Sequence, residues 1–200
     1  MKRSLFVLAI TASMLLTTPF AHATIIQYSA NLSGPNESPP NTSPGTGFAL
    51  LTIDDVLNTM PLNVTFSGLL GTTTAAHIHC CTTTPLTGTA GVATTTPSFA
   101  GFPLGVTSGS FTSAVLDMTL ASSYNPAFVT ANGGTTSGAE AALFSGMALG
   151  DAYFNIHTNV VPGGEIRGFL TPFTQPVPEP ASLALIGLGL VGMGFARRKA

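Results

Sequence analysis

The sequence predicts one all-β domain, an antiparallel β-sandwich with a single short helix, between two terminal segments that do not belong to the fold. The chain has 200 residues, the length of one ordinary domain with short appendages. Its 22 glycines and 15 prolines are typical of short strands joined by tight turns. Because 44% of the residues are hydrophobic and only 7% are charged, the composition favours a buried core over disorder.

The N-terminal residues 1–23 have the pattern of a secretory signal peptide. A cationic start at Lys2 and Arg3 is followed by an apolar stretch, and small residues at Ala21 and Ala23 predict cleavage after Ala23. The alternative is an N-terminal membrane anchor, but the apolar stretch is shorter than the roughly 20 residues of a spanning helix. We therefore expect the secretion translocon to be a partner during export.

Seven strand-like segments follow, separated by turns rich in Gly, Pro, Asn and Ser. We predict these strands at Ile25–Leu32, Gly47–Ile53, Leu62–Leu69, Ala75–Cys80, Ser108–Leu120, Ala152–Thr158 and Glu165–Leu170. Short strands with turn chemistry between them favour an antiparallel sandwich.

One interval between the strands has a different pattern. Residues Gly138–Leu149 are rich in alanine and leucine and contain no β-branched residue, which predicts a short helix. The segment Thr82–Gly105 is rich in Thr, Pro and Gly, and no element is predicted there.

The C-terminal residues 175–200 form the second appendage. The motif Val177, Pro178, Glu179 and Pro180 precedes an apolar run, which is closed by Arg197, Arg198 and Lys199. The sixteen residues of the run reach about 24 Å as a helix, marginal for a bilayer core of roughly 30 Å. These three parts in this order resemble the PEP-CTERM sorting signal. The resemblance implies an exosortase partner in a Gram-negative bacterium, transient anchoring by the C-terminal helix, and final delivery to the cell surface or outside the cell. A permanent tail anchor is the alternative.

The central domain, residues 24–174, is acidic. It carries seven carboxylates against a single cation, Arg167, a formal charge of −6. Binding to nucleic acid requires several Lys or Arg side chains on one face, so no nucleic-acid partner is expected.

Strand alternation predicts which side chains face the core. The predicted core set is Ile78, Ala152, Phe154, Ile156 and Ile166. The opposite, outward set is His77, His79, Tyr153, Asn155, His157, Glu165 and Arg167. It contains every histidine and the only cation of the central domain. We therefore predict that the histidines, Glu165 and Arg167 lie in one neighbourhood.

Several segments carry a resemblance to a known family. They read LSGPNESPP (32–40), GFALLTID (47–54), FSGLLG (66–71), AAHIH (75–79), DAYFNIHT (151–158) and PGGEIRGFL (162–170). In this order they resemble the CHRD domain, first described in chordin. The resemblance implies an extracellular β-sandwich, of the immunoglobulin-like or superoxide-dismutase-like kind. The sequence departs from the family pattern directly after His79, where two cysteines and a threonine run follow.

The histidines have two interpretations. Two His on one strand face and a third on a neighbouring strand can supply three nitrogen ligands to copper or zinc. The H-x-H motif, a later His and a later Arg resemble the copper centre of Cu/Zn superoxide dismutases, although that centre uses four histidines and this domain has three. In the other interpretation, the histidines hydrogen-bond to Glu165, Asn155 and backbone carbonyls as a buried polar network.

Cys80 and Cys81 are adjacent, and three states remain open for them. They could form a strained vicinal disulfide, bridge to another molecule, or stay reduced. Alternation places Cys81 on the histidine side, where a thiolate could be a further ligand.

No hydrolase, nucleotide-binding or zinc-protease motif occurs in the sequence. The sequence therefore predicts an exported protein without a catalytic site, which binds or scaffolds a surface protein or the exopolysaccharide matrix. The alternative is a copper- or zinc-binding domain using His77, His79 and His157, with redox activity resembling that of a superoxide dismutase.

Overall fold

A computed structural model of the chain describes residues 25–173. The eight strands are β1 (Ile25–Ser33), β2 (Thr46–Asp54), β3 (Leu62–Ser67), β4 (Thr73–His79), β5 (Gly109–Thr112), β6 (Tyr153–Thr158), β7 (Ile166–Phe169) and β8 (Thr171–Pro172). The two α-helices are α1 (Pro126–Ala131) and α2 (Thr136–Leu149). Short 3₁₀ turns occupy Gly34–Asn36 and Ala121–Ser123.

The strands form one curled antiparallel sheet in the order β4-β6-β7-β1-β2-β3-β5, with β8 paired to β1. The curl brings the two ends of the sheet together, because Thr73 of β4 exchanges backbone hydrogen bonds with Gly105 and Val106, just before β5. The predicted all-β antiparallel class is confirmed. Where the sequence predicts a sandwich of two packed sheets, the structure has one sheet that curls into a half-barrel.

The concave side of the sheet holds the hydrophobic core. Ile78, Phe154, Ile156 and Ile166 are all 0% exposed, as strand alternation predicts. The ring of Phe99 lies between those of Phe154 and Phe111, with centroids 6.0 and 6.3 Å away, and so connects β6 to β5 across the core.

The two helices begin at identifiable caps. The Thr135 hydroxyl accepts a hydrogen bond from the N–H of Gly138, and α2 ends at Gly150 in the left-handed region. The predicted helix is therefore confirmed, with a start two residues earlier. Helix α1 was not predicted, although Asn125 followed by Pro126 is a recognisable start signal.

The predicted strand Ser108–Leu120 is wrong over most of its length. Only Gly109–Thr112 pairs as β5, and Val115, in the apolar stretch after it, is 65% exposed. The apolar residues there lie in an irregular segment, so β-forming residue types alone did not identify a paired strand.

The convex side of β4, β6 and β7, which we call the polar face, is covered by two loop segments. Residues 34–45 bind it through the Asn41 amide, which donates to the Glu165 carbonyl, and residues 80–98 bind it through backbone carbonyls. Glu165 and Arg167 lie on the face opposite the core residue Ile166, as strand alternation predicts. The two loops bury them there, so that Glu165 is 0% and Arg167 4% exposed.

The signal peptide and the sorting helix predicted from the sequence lie outside the described residues. Within residues 25–173, no helix is long and apolar enough to cross a membrane.

Candidate metal centre

Three histidines meet on the polar face. His77 and His79 lie two residues apart on β4, and His157 lies on the neighbouring strand β6, opposite Ala75. One ring nitrogen of each histidine lies within 4.8 Å of the corresponding nitrogens of the other two. The strand register thus assembles the three side chains that the sequence predicts as metal ligands.

Each histidine is oriented by one backbone carbonyl. Nε2 of His77 lies 2.6 Å from the Pro97 oxygen, Nδ1 of His79 lies 2.9 Å from the Ala90 oxygen, and Nδ1 of His157 lies 2.9 Å from the Pro162 oxygen. Because a carbonyl only accepts, the nitrogen facing it carries the proton. The second nitrogen of each neutral ring therefore presents a lone pair.

Those second nitrogens have no partner. His77 Nδ1, His79 Nε2 and His157 Nε2 are buried and make no hydrogen bond within the described chain. A buried polar atom without a partner costs roughly 1–3 kcal/mol, so three of them in one cluster require an explanation.

Burial keeps the three imidazoles uncharged. It lowers the pKa of His79 to about 4, and it lowers the pKa values of His77 and His157 as well. The proximity of His157 lowers the pKa of His77 further. At neutral pH the cluster is therefore in the deprotonated form that coordinates metal ions.

An aromatic stack connects His79 to the only cation of the domain. The Tyr153 ring is parallel to the His79 ring, with an interplanar angle of 5° and centroids 4.8 Å apart. The Arg167 guanidinium carbon lies 4.7 Å from the centroid of the same tyrosine ring. Tyr153 thus positions the imidazole of His79 and separates it from the positive charge of Arg167.

Arg167 is held by the loops that cover the polar face. Its Nε donates to the carbonyl of Asn36 at 2.5 Å, and its Nη1 donates to the carbonyl of Gly88 at 2.9 Å. Its ionic partner is Glu37, with Nε and a carboxylate oxygen 3.8 Å apart. Burial raises the pKa of Glu37 to about 7, against the opposing attraction of Arg167.

Glu165 occupies a separate hydrogen-bonded site. Its carboxylate accepts from the hydroxyls of Ser43 and Thr158, both at 2.6 Å, and from the backbone N–H groups of Leu70 and Gly71 at 2.5 and 3.1 Å. Burial alone would raise the pKa of Glu165, but these four donors hold it below its usual range. Glu165 thus lies directly before β7, beside the end of β6, and within residues 25–173 its carboxylate binds other segments of the chain and makes no hydrogen bond to the histidines.

Asn155 lies beside the cluster without contributing a bond to it. Its side-chain oxygen is buried and has no partner in the described region, and no histidine bonds to it or to Glu165. At Gly164 (φ +130°) a Cβ atom would approach the Asn155 amide to 2.6 Å and Glu37 to 2.9 Å. Glycine is therefore required there.

Cys80 and Cys81 form a disulfide with each other. Both sulfur atoms lie against α2, where a Cβ atom on Gly146 would approach them to 2.3 and 2.6 Å. The hypothesis that Cys81 is a thiolate ligand on the histidine side is therefore wrong.

Sequence reasoning missed three contributions to this site. Glu37 is the ionic partner of Arg167, but seven carboxylates are available to this one cation, so charge alone does not select it. Tyr153 was placed on the correct face without a role. The carbonyls of Ala90, Pro97 and Pro162 belong to the main chain of loops, and no side-chain pattern marks them.

The donor set fits a small transition-metal ion. Zinc and copper bind imidazole nitrogens at about 2.0–2.1 Å, so two ligands of one ion lie no more than about 4.2 Å apart. The present spread of 4.8 Å requires the rings to move inward by roughly half an ångström. Three neutral imidazoles oriented by carbonyls are the usual second-shell arrangement around such an ion.

Comparison with known families identifies two regions of the chain. The CHRD domain matches residues 28–170. The PEP-CTERM protein-sorting motif matches residues 176–199. No curated protein and no solved structure matches the chain.

Proposed function

Because the chain belongs to the CHRD-domain family and ends in a PEP-CTERM sorting motif, we propose that it is an exported protein whose CHRD domain binds a copper or zinc ion. The sorting motif indicates exosortase processing and a cell-surface or extracellular location. The ligands in this proposal are His77, His79 and His157.

One observation carries the metal proposal. Each of the three histidines donates from one nitrogen to a carbonyl and leaves the other nitrogen buried and unpartnered. One ring nitrogen of each histidine also lies within 4.8 Å of one on each of the other two. A hydrogen-bond network alone would satisfy both nitrogens of a buried ring, for example by pairing with Asn155 or Glu165. An ion explains all three orphaned lone pairs at once.

The ligand count also limits the chemistry. Three protein nitrogens leave a coordination position for water or another small molecule, as in catalytic rather than structural sites. Among the described residues the cluster contains no fourth histidine and no carboxylate. Redox activity resembling that of a superoxide dismutase would therefore use a smaller ligand set than the centre the sequence resembles.

Metal binding should stabilise the full chain. At a hundredfold excess of free Cu²⁺ or Zn²⁺ over the dissociation constant, we expect a stabilisation of about 2.7 kcal/mol, because the ion binds the folded state. His157→Ala should abolish this increment while leaving the metal-free fold largely intact, since His157 is partly exposed. Urea unfolding with and without the ion, together with metal content of the purified chain, measures both effects.

Val160→Ala is the matched control, because Val160 is three residues away and 57% exposed. It should retain the full increment. An increment of the same size in wild type and His157→Ala would show that the ion binds elsewhere. No increment with either ion would support the scaffolding role expected from the sequence, carried out without a metal.

Export should remove the first 23 residues. We propose domain boundaries of 1–23 for the signal peptide, 24–174 for the CHRD domain and 175–200 for the sorting segment with its helix and basic tail. N-terminal sequencing of mature protein should begin at Thr24, because Ala21 and Ala23 form the expected cleavage site. Mature protein that begins at Met1 would contradict export by this route.

A further inference from the structure

A cavity of about 570 Å³ lies beside the polar face, between β1, β7 and the loops at residues 36–40 and 86–88. The three histidines are not among its lining residues, so it is distinct from the candidate metal centre. Its volume falls within the usual range of small-molecule sites.

Arg167 supplies the positive charge of this cavity. The side chain is only 4% exposed, and two carbonyls and the Tyr153 ring fix its position. Its third nitrogen, Nη2, has no hydrogen-bond partner within residues 25–173 and is not enclosed by protein. A guanidinium that is held in place with one nitrogen left to donate can form a charge-assisted hydrogen bond to a carboxylate.

Glu37 does not cancel this charge. Its carboxylate lies 3.8 Å from Arg167, but burial raises its pKa to about 7. Burial thus disfavours the charged form of Glu37, so this carboxyl compensates the Arg167 charge less completely than an exposed carboxylate would. Elsewhere the domain is acidic, which makes this the place where an anionic group is least repelled.

The remaining lining is uncharged and suits a hydroxyl-rich molecule. Hydroxyls and amides surround the opening, contributed by Ser29, Asn31, Asn36, Ser38, Thr87 and Thr171. The half-buried ring of Phe169 forms one wall, with its centroid 5.6 Å from the Arg167 guanidinium carbon. An aromatic wall beside hydroxyl and amide groups fits a sugar ring, which has apolar faces and polar edges.

We propose that this cavity binds a sugar acid, with the carboxylate on Arg167 and the sugar ring against Phe169. A free uronate and a uronate unit of a matrix polysaccharide share this chemistry. The site uses neither metal nor histidine, so it extends the proposed function and can fail independently of it.

The test measures binding of sodium glucuronate to the purified full chain by calorimetry, in buffer containing a chelator. Glucuronate should bind, and neutral glucose should bind at least tenfold more weakly because it lacks the charge that Arg167 recognises. Equal affinity for glucose and glucuronate, or no binding of glucuronate, would overturn the proposal. Stronger binding of a uronate oligomer than of glucuronate identifies a polysaccharide as the source, and the reverse order identifies the free sugar acid.

A charge variant provides a test that does not disturb the fold. Asn31 is exposed on β1 and lines the cavity, so Asn31→Asp adds a negative charge without changing size. It should weaken glucuronate binding by roughly tenfold through like-charge repulsion. Asn63→Asp is the matched control, an exposed position on β3 outside the cavity, and should change affinity less than about twofold. Equal effects of both variants would show that net charge, not this cavity, controls binding.

Discussion

Replacement of Phe154 by alanine should lower the free energy of unfolding by about 3–5 kcal/mol, the usual cost of removing a buried phenylalanine. The side chain is 0% exposed and its ring stacks on that of Phe99, with centroids 6.0 Å apart. Its loss would leave a cavity that the rigid strands β4 and β7 on either side cannot close. Urea denaturation of wild type and variant measures the difference.

Val115→Ala is the control for this experiment, because Val115 is 65% exposed and should change stability by no more than about 0.5 kcal/mol. If Phe154→Ala falls within the same narrow range, the side of the sheet assigned to the core is incorrect. The histidines would then belong to the interior of the barrel.

Replacement of Glu165 by alanine should cost about 4 kcal/mol. The change leaves the N–H groups of Leu70 and Gly71 and two hydroxyls without their acceptor, and each buried orphan costs roughly 1–3 kcal/mol. The carboxylate, one residue before β7, accepts hydrogen bonds from the loop before β2, the loop before β4 and the end of β6, so one substitution removes bonds to three segments. Chemical denaturation at pH 7 should reveal the loss.

The loss of stability caused by Glu165→Ala should also depend on pH. The folded-state pKa of Glu165 lies below its usual value of 4.5, so its contribution is complete above that pH and disappears as the pH falls through the folded pKa. The stability difference between wild type and Glu165→Ala should therefore shrink in acid. Glu140→Ala, a half-buried glutamate on α2, is the control, and its effect at pH 7 should stay below about 1 kcal/mol. If Glu165→Ala lowers the free energy of unfolding no more than Glu140→Ala does, the four donors must form hydrogen bonds to water in the variant.

The period of two along a strand explains why the faces of β4, β6 and β7 could be predicted. Ile78 and His79 are neighbours in sequence and must point to opposite sides, whatever the rest of the chain does. The same rule brings His77, His79 and His157 to one side of the sheet once β4 and β6 pair, but alternation alone does not identify β6 as the partner of β4.

The rule does not tell how each face is covered. Alternation places Glu165 and Arg167 opposite Ile166, but it does not predict that the loops at 34–45 and 80–98 fold over them. Those loops are held by main-chain atoms such as the Ala90 and Pro97 carbonyls, which every residue possesses. The residue types in a loop therefore do not predict these bonds. For that reason no element is predicted for the segment Thr82–Gly105, which is rich in Thr, Pro and Gly.

The disulfide between Cys80 and Cys81 adds little to the stability of the domain against unfolding outside the cell. A covalent link restrains an unfolded chain in proportion to the length of loop it closes, and a link between adjacent residues closes almost none. The unfolded polypeptide thus keeps nearly its full conformational freedom with the bond in place. Resistance to unfolding in the extracellular medium must come from side-chain packing and internal hydrogen bonding, not from covalent reinforcement of the kind that small secreted proteins commonly use.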